Sequence, residues 1–214
     1  AAEINAGQYS KVFSLSHTDP YTTIDGVSRT VSATWRSISQ FTTSSSDFET
    51  ETGTLGLDYA WPLTEFQSVR MGFAAQRSDL FTDPNSSAAE ALYWVQNNGN
   101  TYTEVQNVGI PPIALTYYGT RFDTFEYSLG WSYDSRNRAL FADRGSRHRL
   151  SASYALPFSD IDFVSFNYDY LQFIPVSKWF TLMFNSEAGY GQALGDTTSM
   201  PPYRRFFAGG PETV

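Results

Sequence analysis

An alternation of apolar and polar residues with a period of two is the feature that most constrains this chain. Residues 121–134 show it most clearly, with Phe125, Tyr127, Leu129 and Trp131 separated by small or polar residues. A period of two sends successive side chains to opposite faces of a strand, so each such segment is predicted to be a β-strand. The end of a further strand precedes Gly7, and eight complete segments share the pattern: residues 9–18, 27–38, 52–61, 69–76, 121–134, 148–156, 163–174 and 179–190.

The composition of the chain points to strands that face lipid. Aromatic residues make up 17% and charged residues 17% of the 214 residues, whereas soluble domains carry about 25% charged residues. Mean hydropathy is nevertheless −0.34, and no apolar run approaches the roughly 18 residues of a membrane helix. A chain that is rich in aromatics, poor in charge and polar on average is typical of a transmembrane β-barrel, in which every second residue meets lipid.

A soluble β-sandwich also alternates, so the period alone does not separate it from a barrel. The polar face carries charges in the middle of strands, opposite an apolar face that is uniformly bulky. We interpret these charges as candidates that face the interior of a barrel, where they hold a loop and interior water or simply form a solvated pore wall. They are Arg36, Asp58, Arg70, Glu126, Arg149, Asp169 and Glu187.

Aromatic residues near strand ends, together with the connections, favour the barrel. Barrels place aromatic girdles at both membrane interfaces, with short turns on one side and long loops on the other. Short connections near 22–26, 62–67 and 174–178 alternate with longer ones, although 135–147 and 157–162 depart from this rule. The fold class is therefore predicted to be an all-β, antiparallel transmembrane β-barrel. The predicted girdle residues are Trp35, Trp61, Trp131, Tyr133, Trp179 and Tyr190.

The interval 82–118 lacks the period of two. Ser86 or Ser87 is a candidate helix cap, with Glu90 three or four residues later, and small and apolar residues recur at helical spacing until Asn98-Gly99. We expect a long extracellular loop that contains a short amphipathic helix.

Several classes of function are disfavoured. The chain has no cysteine, which excludes disulfides and thiolate metal sites. It carries a net charge of −8 without a basic cluster, so we expect no nucleic-acid partner. His17 and His148 are the two histidines, and neither falls in a recognisable Ser/His/Asp arrangement or at a metal-ligand spacing. We expect no enzyme, no catalytic residue, no metal and no cofactor.

The end of the chain carries a motif. Residues 206–210 read Phe-Phe-Ala-Gly-Gly, and three residues later comes Val214. This resembles the loop motif of the BamA/TamA superfamily of outer-membrane assembly factors, namely Phe-aromatic-Ala-Gly-Gly, three residues, then Val-Arg-Gly-aromatic. The arginine of that motif would be the next residue. The resemblance implies loop anchoring and turn roles for a set of six residues: Phe206, Phe207, Ala208, Gly209, Gly210 and Val214.

The likeness to the family spans nearly the whole chain. Residues 8–26, which contain Asp19-Pro20-Tyr21 and end in Asp25-Gly26, resemble the family's Asn/Asp-Pro-Tyr-Phe-Thr-x-Asp-Gly stretch and favour BamA over TamA. The resemblance implies the middle of a sixteen-stranded barrel, from late in the third strand to partway through the sixth extracellular loop. It makes residues 1–214 a partial barrel domain and 192–214 the truncated motif loop, while POTRA domains and the lateral-gate strands would lie outside this chain.

By this resemblance the chain belongs to the machine that folds and inserts β-barrel proteins into the bacterial outer membrane. The implied partners are unfolded outer-membrane protein clients, accessory assembly lipoproteins and the lipid bilayer. Two alternatives stay open: a TamA-like or two-partner-secretion translocator of the same superfamily, and a passive outer-membrane pore.

Overall fold

Ten strands form a single antiparallel sheet in the computed structural model, which describes residues 1–7, 10–39, 48–82, 89–108, 113–177 and 179–205. One α-helix, α1 (Ala89–Asn97), lies between the fifth and sixth strands, and a short 3-10 helix covers Pro202–Arg204. The predicted all-β antiparallel fold is confirmed. The strands are β1 (Ala2–Ala6), β2 (Ser10–Asp19), β3 (Ser28–Ser39), β4 (Phe48–Pro62), β5 (Gln67–Thr82), β6 (Asn100–Val108), β7 (Ile113–Asp134), β8 (Gly145–Ala155), β9 (Phe163–Pro175) and β10 (Thr181–Ala193).

The sheet is a meander in which neighbours in sequence are neighbours in space. Its order is β1-β2-β3-β4-β5-β7-β8-β9-β10, and β6 pairs with β7 outside this path. Successive strands are joined at alternating ends. One end, which we call the turn end, has the connections 20–27, 63–66 and 135–144 and the turn between β9 and β10. The opposite end, which we call the loop end, has the C-terminal end of β3, the N-terminal end of β4, the region of α1 and β6, the connection 156–162 and residues 194–205.

The register defines two faces, because directly paired residues of antiparallel strands point to the same side. We call the face covered by α1 and residues 194–205 the inner face. There Leu80, Phe122 and Phe163 pack with Trp94 of the helix in one hydrophobic cluster. The opposite, outer face carries large apolar side chains that are exposed, among them Phe13, Leu15, Val31, Leu55, Phe73, Phe125, Leu129, Leu150, Phe166, Leu182 and Phe184.

Across the described ranges, no helix is both long and apolar enough to cross a membrane.

Two strands and one loop share a single edge of β7. β6 pairs with residues 113–121 of β7, and β8 pairs with residues 126–134. The loop after β8 fills the interval between them: the amide of Asp160 donates to the Asp123 carbonyl at 2.8 Å, and the amide of Phe125 donates to Ser159 Oγ at 2.9 Å. The loop therefore satisfies strand backbone groups that no neighbouring strand reaches.

The interval 82–118 differs in part from the expectation of a loop with a helix. It contains α1, and Gly99 follows the helix with a φ of +67°, a left-handed conformation that favours glycine. It also contains β6 and the first part of β7. This strand pair lacks an apolar alternation because polar residues occupy both of its faces, so the period of two gave no signal there. The candidate caps Ser86 and Ser87 lie outside the described residues.

Gly119 on β7 lies directly against the ring of Tyr102 on β6. A Cβ atom added there would overlap the ring of Tyr102, whereas one added to Gly53 on β4 would meet nothing within 4 Å. Tyr102 donates its hydroxyl to Asp79 Oδ1 at 2.6 Å, and burial together with this bond raises the pKa of the hydroxyl, which keeps the donor protonated.

We expect Gly119→Ala to destabilise the β6–β7 pair by about 1–3 kcal/mol, because the tyrosine ring must move and its bond to Asp79 is lost. Gly53→Ala is the matched control and is expected to change stability by less than about 0.5 kcal/mol. Hydrogen exchange of residues 100–108 in the full-length protein measures the difference. Equal exchange rates in the two variants would show that the position of the Tyr102 ring does not depend on the absence of a side chain at residue 119.

Candidate functional site

The helix α1 presents one buried face to the inner surface of the sheet. Trp94 and Val95 are fully buried, and Trp94 meets Phe122 edge to face with ring centroids 5.5 Å apart. The neighbouring Tyr93 is 58% exposed. Ala91 is buried one turn before them, so Ala91, Trp94 and Val95 form one apolar stripe that fixes α1 to β5 and β7 at the loop end of the sheet.

Residues 194–205, which we call the anchor segment, run from β10 back to this helix. The indole Nε1 of Trp94 donates to the Ser199 carbonyl at 2.8 Å. Asn98, which is buried, donates from Nδ2 to Thr198 Oγ1 at 2.7 Å, and its Oδ1 accepts from the Thr198 amide at 2.9 Å. At the start of the segment, the Leu194 amide donates to the Asp162 carbonyl at 2.9 Å. The segment is thus bonded to both α1 and the loop after β8.

The end of the anchor segment reaches the sheet itself. Tyr203 stacks on Phe122 with centroids 6.3 Å apart and an interplanar angle of 16°. Arg204 forms a salt bridge from Nη2 to Glu126 Oε2 at 2.7 Å, and its guanidinium lies 5.5 Å from the centroid of the Phe163 ring. The Glu126 side chain is only 11% exposed. A charge with so little contact with water depends on its partner, so this pair is a strong constraint on where the segment lies.

Arg205 makes a second ionic contact, to the helix rather than the sheet. Its Nη1 donates to Glu90 Oε2 at 2.7 Å, while Nε donates to the Met200 carbonyl and Nη2 to Ser199 Oγ, both at 3.2 Å. Glu90 lies in the first turn of α1, where a carboxylate also interacts favourably with the helix dipole. The two consecutive arginines therefore join the chain to opposite walls of one site, just before residue 206.

Asn98 is expected to be important for this site. Asn98→Ala removes the hydrogen bonds to Thr198 and leaves the backbone amide of Thr198 without its acceptor. We expect the attachment of the anchor segment to weaken by about 1–3 kcal/mol. Hydrogen exchange of residues 194–205 in the full-length protein should accelerate accordingly. Asn97→Ala is the matched control, since Asn97 is exposed and bonds only the Tyr93 carbonyl of its own helix among the described residues. Equal exchange in both variants would contradict a holding role for Asn98.

All seven charges predicted to face the interior occupy the inner register of the sheet. Asp58 pairs with Gly72, Arg149 pairs with Asp169, and Asp169 pairs in turn with Glu187. Among the described residues, Glu126 is the one member of this set that forms a salt bridge. The register brings Arg149, Asp169 and Glu187 into one row across three strands. Arg70 lines the same cavity as Arg149 and Asp169, but in the described part of the chain no hydrogen bond or salt bridge joins Arg36 or Arg70 to that row. Their predicted role in holding a loop or water stays a prediction.

The predicted girdle residues lie on the outer register, apart from Trp179, which is in the turn between β9 and β10. Trp35 donates its Nε1 to Glu51 Oε1 at 2.7 Å. Near the turn end, Trp131 and Tyr133 lie beside His148, whose Nδ1 is 2.8 Å from Tyr168 Oη. The remaining two are outward as well: Trp61, stacked on Tyr59, and Tyr190, bonded to Gln192. Their placement at a membrane interface stays a prediction.

The motif residues Phe206, Phe207, Ala208, Gly209, Gly210 and Val214 lie outside the described residues. The structure instead identifies contacts that sequence reasoning missed, namely those of Trp94, Asn98, Tyr203, Arg204 and Arg205. The sequence feature that could have pointed to these contacts is the adjacent pair Arg204-Arg205, which is unusual in a chain with only 14 lysine and arginine residues. Within the part of the chain that the structure covers, no cluster of three or more His, Asp or Glu side chains is arranged to hold a metal ion.

Comparisons with known proteins identify relatives for the whole chain. Residues 1–214 match the Omp85 superfamily domain. The outer membrane protein assembly factor BamA of Neisseria meningitidis serogroup B is 30% identical over 200 residues, which cover 92% of this chain and 23% of that protein. The crystal structure of BamA from Haemophilus ducreyi lacking POTRA domains 1–3 superposes with a TM-score of 0.80 at 21% identity, over 95% of this chain and 37% of that one. The chain thus spans about a quarter of its Neisseria relative.

Proposed function

Because the chain belongs to the Omp85 superfamily and is part of a β-barrel of the bacterial outer membrane, we propose that its protein folds and inserts other β-barrel proteins into that membrane. The observation that carries the proposal is the 30% identity to BamA of Neisseria meningitidis over 92% of the chain. The proposed partners are unfolded outer-membrane protein clients, accessory lipoproteins and the bilayer. Such work requires no covalent chemistry and no cofactor.

The sheet supports a role as the middle wall of a larger barrel. Within the described residues β1 pairs only with β2, and β10 only with β9. An open edge in hydrocarbon leaves backbone groups unpaired at several kcal/mol each. In this proposal other strands of the same barrel cover both edges, the turn end faces the periplasm and the loop end faces the outside. Client strands would pair with a barrel edge by β-augmentation, beside a locally thinned bilayer.

The anchor segment has a defined part in this proposal. Arg204 and Arg205 attach the chain to Glu126 on β7 and to Glu90 on α1, and the residue that follows is Phe206. The segment would therefore set where the motif loop enters the interior of the barrel. A loop whose first residue is held in place has fewer accessible conformations, so less conformational entropy is lost when the loop binds in the interior of the barrel.

The test uses the full-length protein in lipid vesicles and a client barrel unfolded in urea. We expect the client to fold faster than in protein-free vesicles, as followed by the gel mobility of its folded form. Vesicles that hold an unrelated barrel of similar size are the control for membrane disruption. Transport of an unfolded client across the membrane without its insertion would instead identify a translocator. Solute flux with neither activity would identify a passive pore.

A further inference from the structure

The outer face of β4, β5 and β7 changes character abruptly along the strands. The outward residues of β5 are apolar from Val69 to Ala75, and the outward residues of β7 that pair with them run from Trp131 to Phe125. Leu55 on β4 continues this surface and is 65% exposed. Since the protein is an outer-membrane barrel, this surface faces lipid chains.

Two residues beyond Ala75 and Phe125 toward the loop end, the next outward positions of β5 and β7 hold oppositely charged side chains that form salt bridges. Arg77 donates from Nε and Nη2 to the two carboxylate oxygens of Asp123 at 2.6 and 2.5 Å. In the next row, Arg121 donates from Nε and Nη2 to Asp79 Oδ2 at 3.0 and 2.7 Å. Tyr102 donates to the other oxygen of Asp79. We call these five residues the paired-ion band.

The dimensions of the apolar surface agree with the thickness of a membrane. On β5 it lies between the polar limits Gln67 and Arg77, which pair with Tyr133 and Asp123 of β7. Ten residues span about 33 Å at ~3.3 Å per residue, or about 25 Å along the membrane normal at a tilt near 40°. Barrels have an apolar band about 25 Å tall. The hydrocarbon layer therefore ends at the row of Arg77 and Asp123.

The paired-ion band has donors left for a ligand. Each arginine uses the side of its guanidinium that carries Nε and Nη2, so Nη1 points away from the aspartate by the planar geometry of the group. The side chains of Arg77 and Arg121 are 72% and 60% exposed. The nearby Asp160 accepts from the Asp123 amide at 2.8 Å and adds a negative charge. Because both arginines lie on the outer register and are largely exposed, their remaining N–H groups are accessible from the outer face.

We propose that the paired-ion band lies among the lipid head groups of the outer leaflet, with Arg77 and Arg121 donating to head-group phosphates. Two arguments support this occupant. The band is continuous with the lipid-facing surface, and the outward N–H groups of the two guanidinium planes match phosphate oxygens in geometry while each arginine stays paired with its aspartate. Beyond it, Phe81 stacks on Tyr117 with centroids 5.1 Å apart, so the strands continue outward above the head groups. This inference rests on the orientation given under the proposed function, with the loop end outside, and does not require the assembly activity.

Membrane depth can be measured along β4, since this chain contains no cysteine. Single cysteines at Leu55→Cys, Gly53→Cys and Glu49→Cys, in a full-length background without other cysteines, carry an environment-sensitive fluorophore in vesicles of acyl-brominated phosphatidylglycerol. Quenching should be strong at residue 55, weaker at 53 and lost at 49, which lies about 15 Å higher. Thr54→Cys, on the inner register, is the control and should not be quenched. Equal quenching at 49 and 55 overturns the placement.

The phosphate contact is tested by solid-state NMR of the full-length protein with nitrogen-15 arginine side chains in phosphatidylglycerol vesicles. Dephasing by lipid phosphorus should be reduced in Arg77→Gln/Arg121→Gln. It should be retained in Arg70→Gln, an arginine of the inner register. Unchanged dephasing in the double variant would overturn the phosphate contact. If the double variant fails to insert, the depth measurement on intact pairs still decides whether the band is at head-group height.

Discussion

Replacement of Trp94 by alanine is expected to destabilise the packing of α1 on the inner face by about 3–5 kcal/mol. Trp94 is fully buried between β7 and the anchor segment, and its indole also holds the Ser199 carbonyl. The substitution therefore creates a cavity and removes a hydrogen bond at the same point. The sheet itself is held by backbone pairing, so the loss should be confined to α1 and residues 194–205.

Hydrogen exchange of the full-length protein measures this effect segment by segment. Exchange should rise in residues 194–205 while the paired region of β5 and β7 stays protected. Tyr93→Ala, one residue earlier on the exposed side of the helix, is the matched control and should change stability by less than about 0.5 kcal/mol. Faster exchange throughout β5 and β7 would mean that the cluster supports the whole sheet, contrary to this expectation.

Removal of the Glu126 carboxylate in Glu126→Gln is expected to lower the free energy that holds the anchor segment on the sheet by about 2 kcal/mol. Breaking a fully buried pair costs about 3–5 kcal/mol, and the one-third exposure of Arg204 lowers that figure. Two kcal/mol corresponds to a roughly thirtyfold rise in the open population of the segment. If the segment positions the motif loop, client folding by the full-length protein should slow in Glu126→Gln.

The control for Glu126→Gln is Glu187→Gln, the same change on the same face at a residue without a salt bridge in the described part of the chain. It should leave both exchange and client folding unchanged. The exchanged pair Arg204→Glu/Glu126→Arg should restore protection of residues 194–205 because it restores the attraction. If Glu126→Gln loses the protection of residues 194–205 from hydrogen exchange but folds the client at an unchanged rate, the anchor segment is not needed for the proposed function.

The strands were readable from the sequence because each meets lipid on one side and polar surroundings on the other. Phe125, Leu129 and Trp131 alternate with small or polar residues for this reason, and residues 121–134 form the second part of β7, as the alternation predicted, whereas the strand begins eight residues earlier, at Ile113. β6 was missed for the converse reason. Its outward Tyr102 and Glu104 face the region beyond the hydrocarbon, so no alternation of bulky apolar residues was required there.

The face of each strand residue follows from its parity, but its partner does not. Arg36, Arg70 and Glu126 share the inner register, and Glu126 alone of these forms a salt bridge among the described residues, with a basic side chain. That side chain belongs to Arg204, 78 residues later. No spacing rule links the two, because their meeting depends on the return path of the chain after β10.

The sequence by itself therefore determined the all-β class, the faces of the strands and the family resemblance, since local alternation and a short motif encode them. The tertiary structure alone decided how the loop end is assembled: the docking of α1 through Trp94, the pairing of β6 with β7 and the attachment of Arg204 and Arg205 to Glu126 and Glu90. These contacts join residues far apart in the chain. The segments that make them become neighbours only when the whole sheet has formed, so no local sequence pattern predicts these contacts.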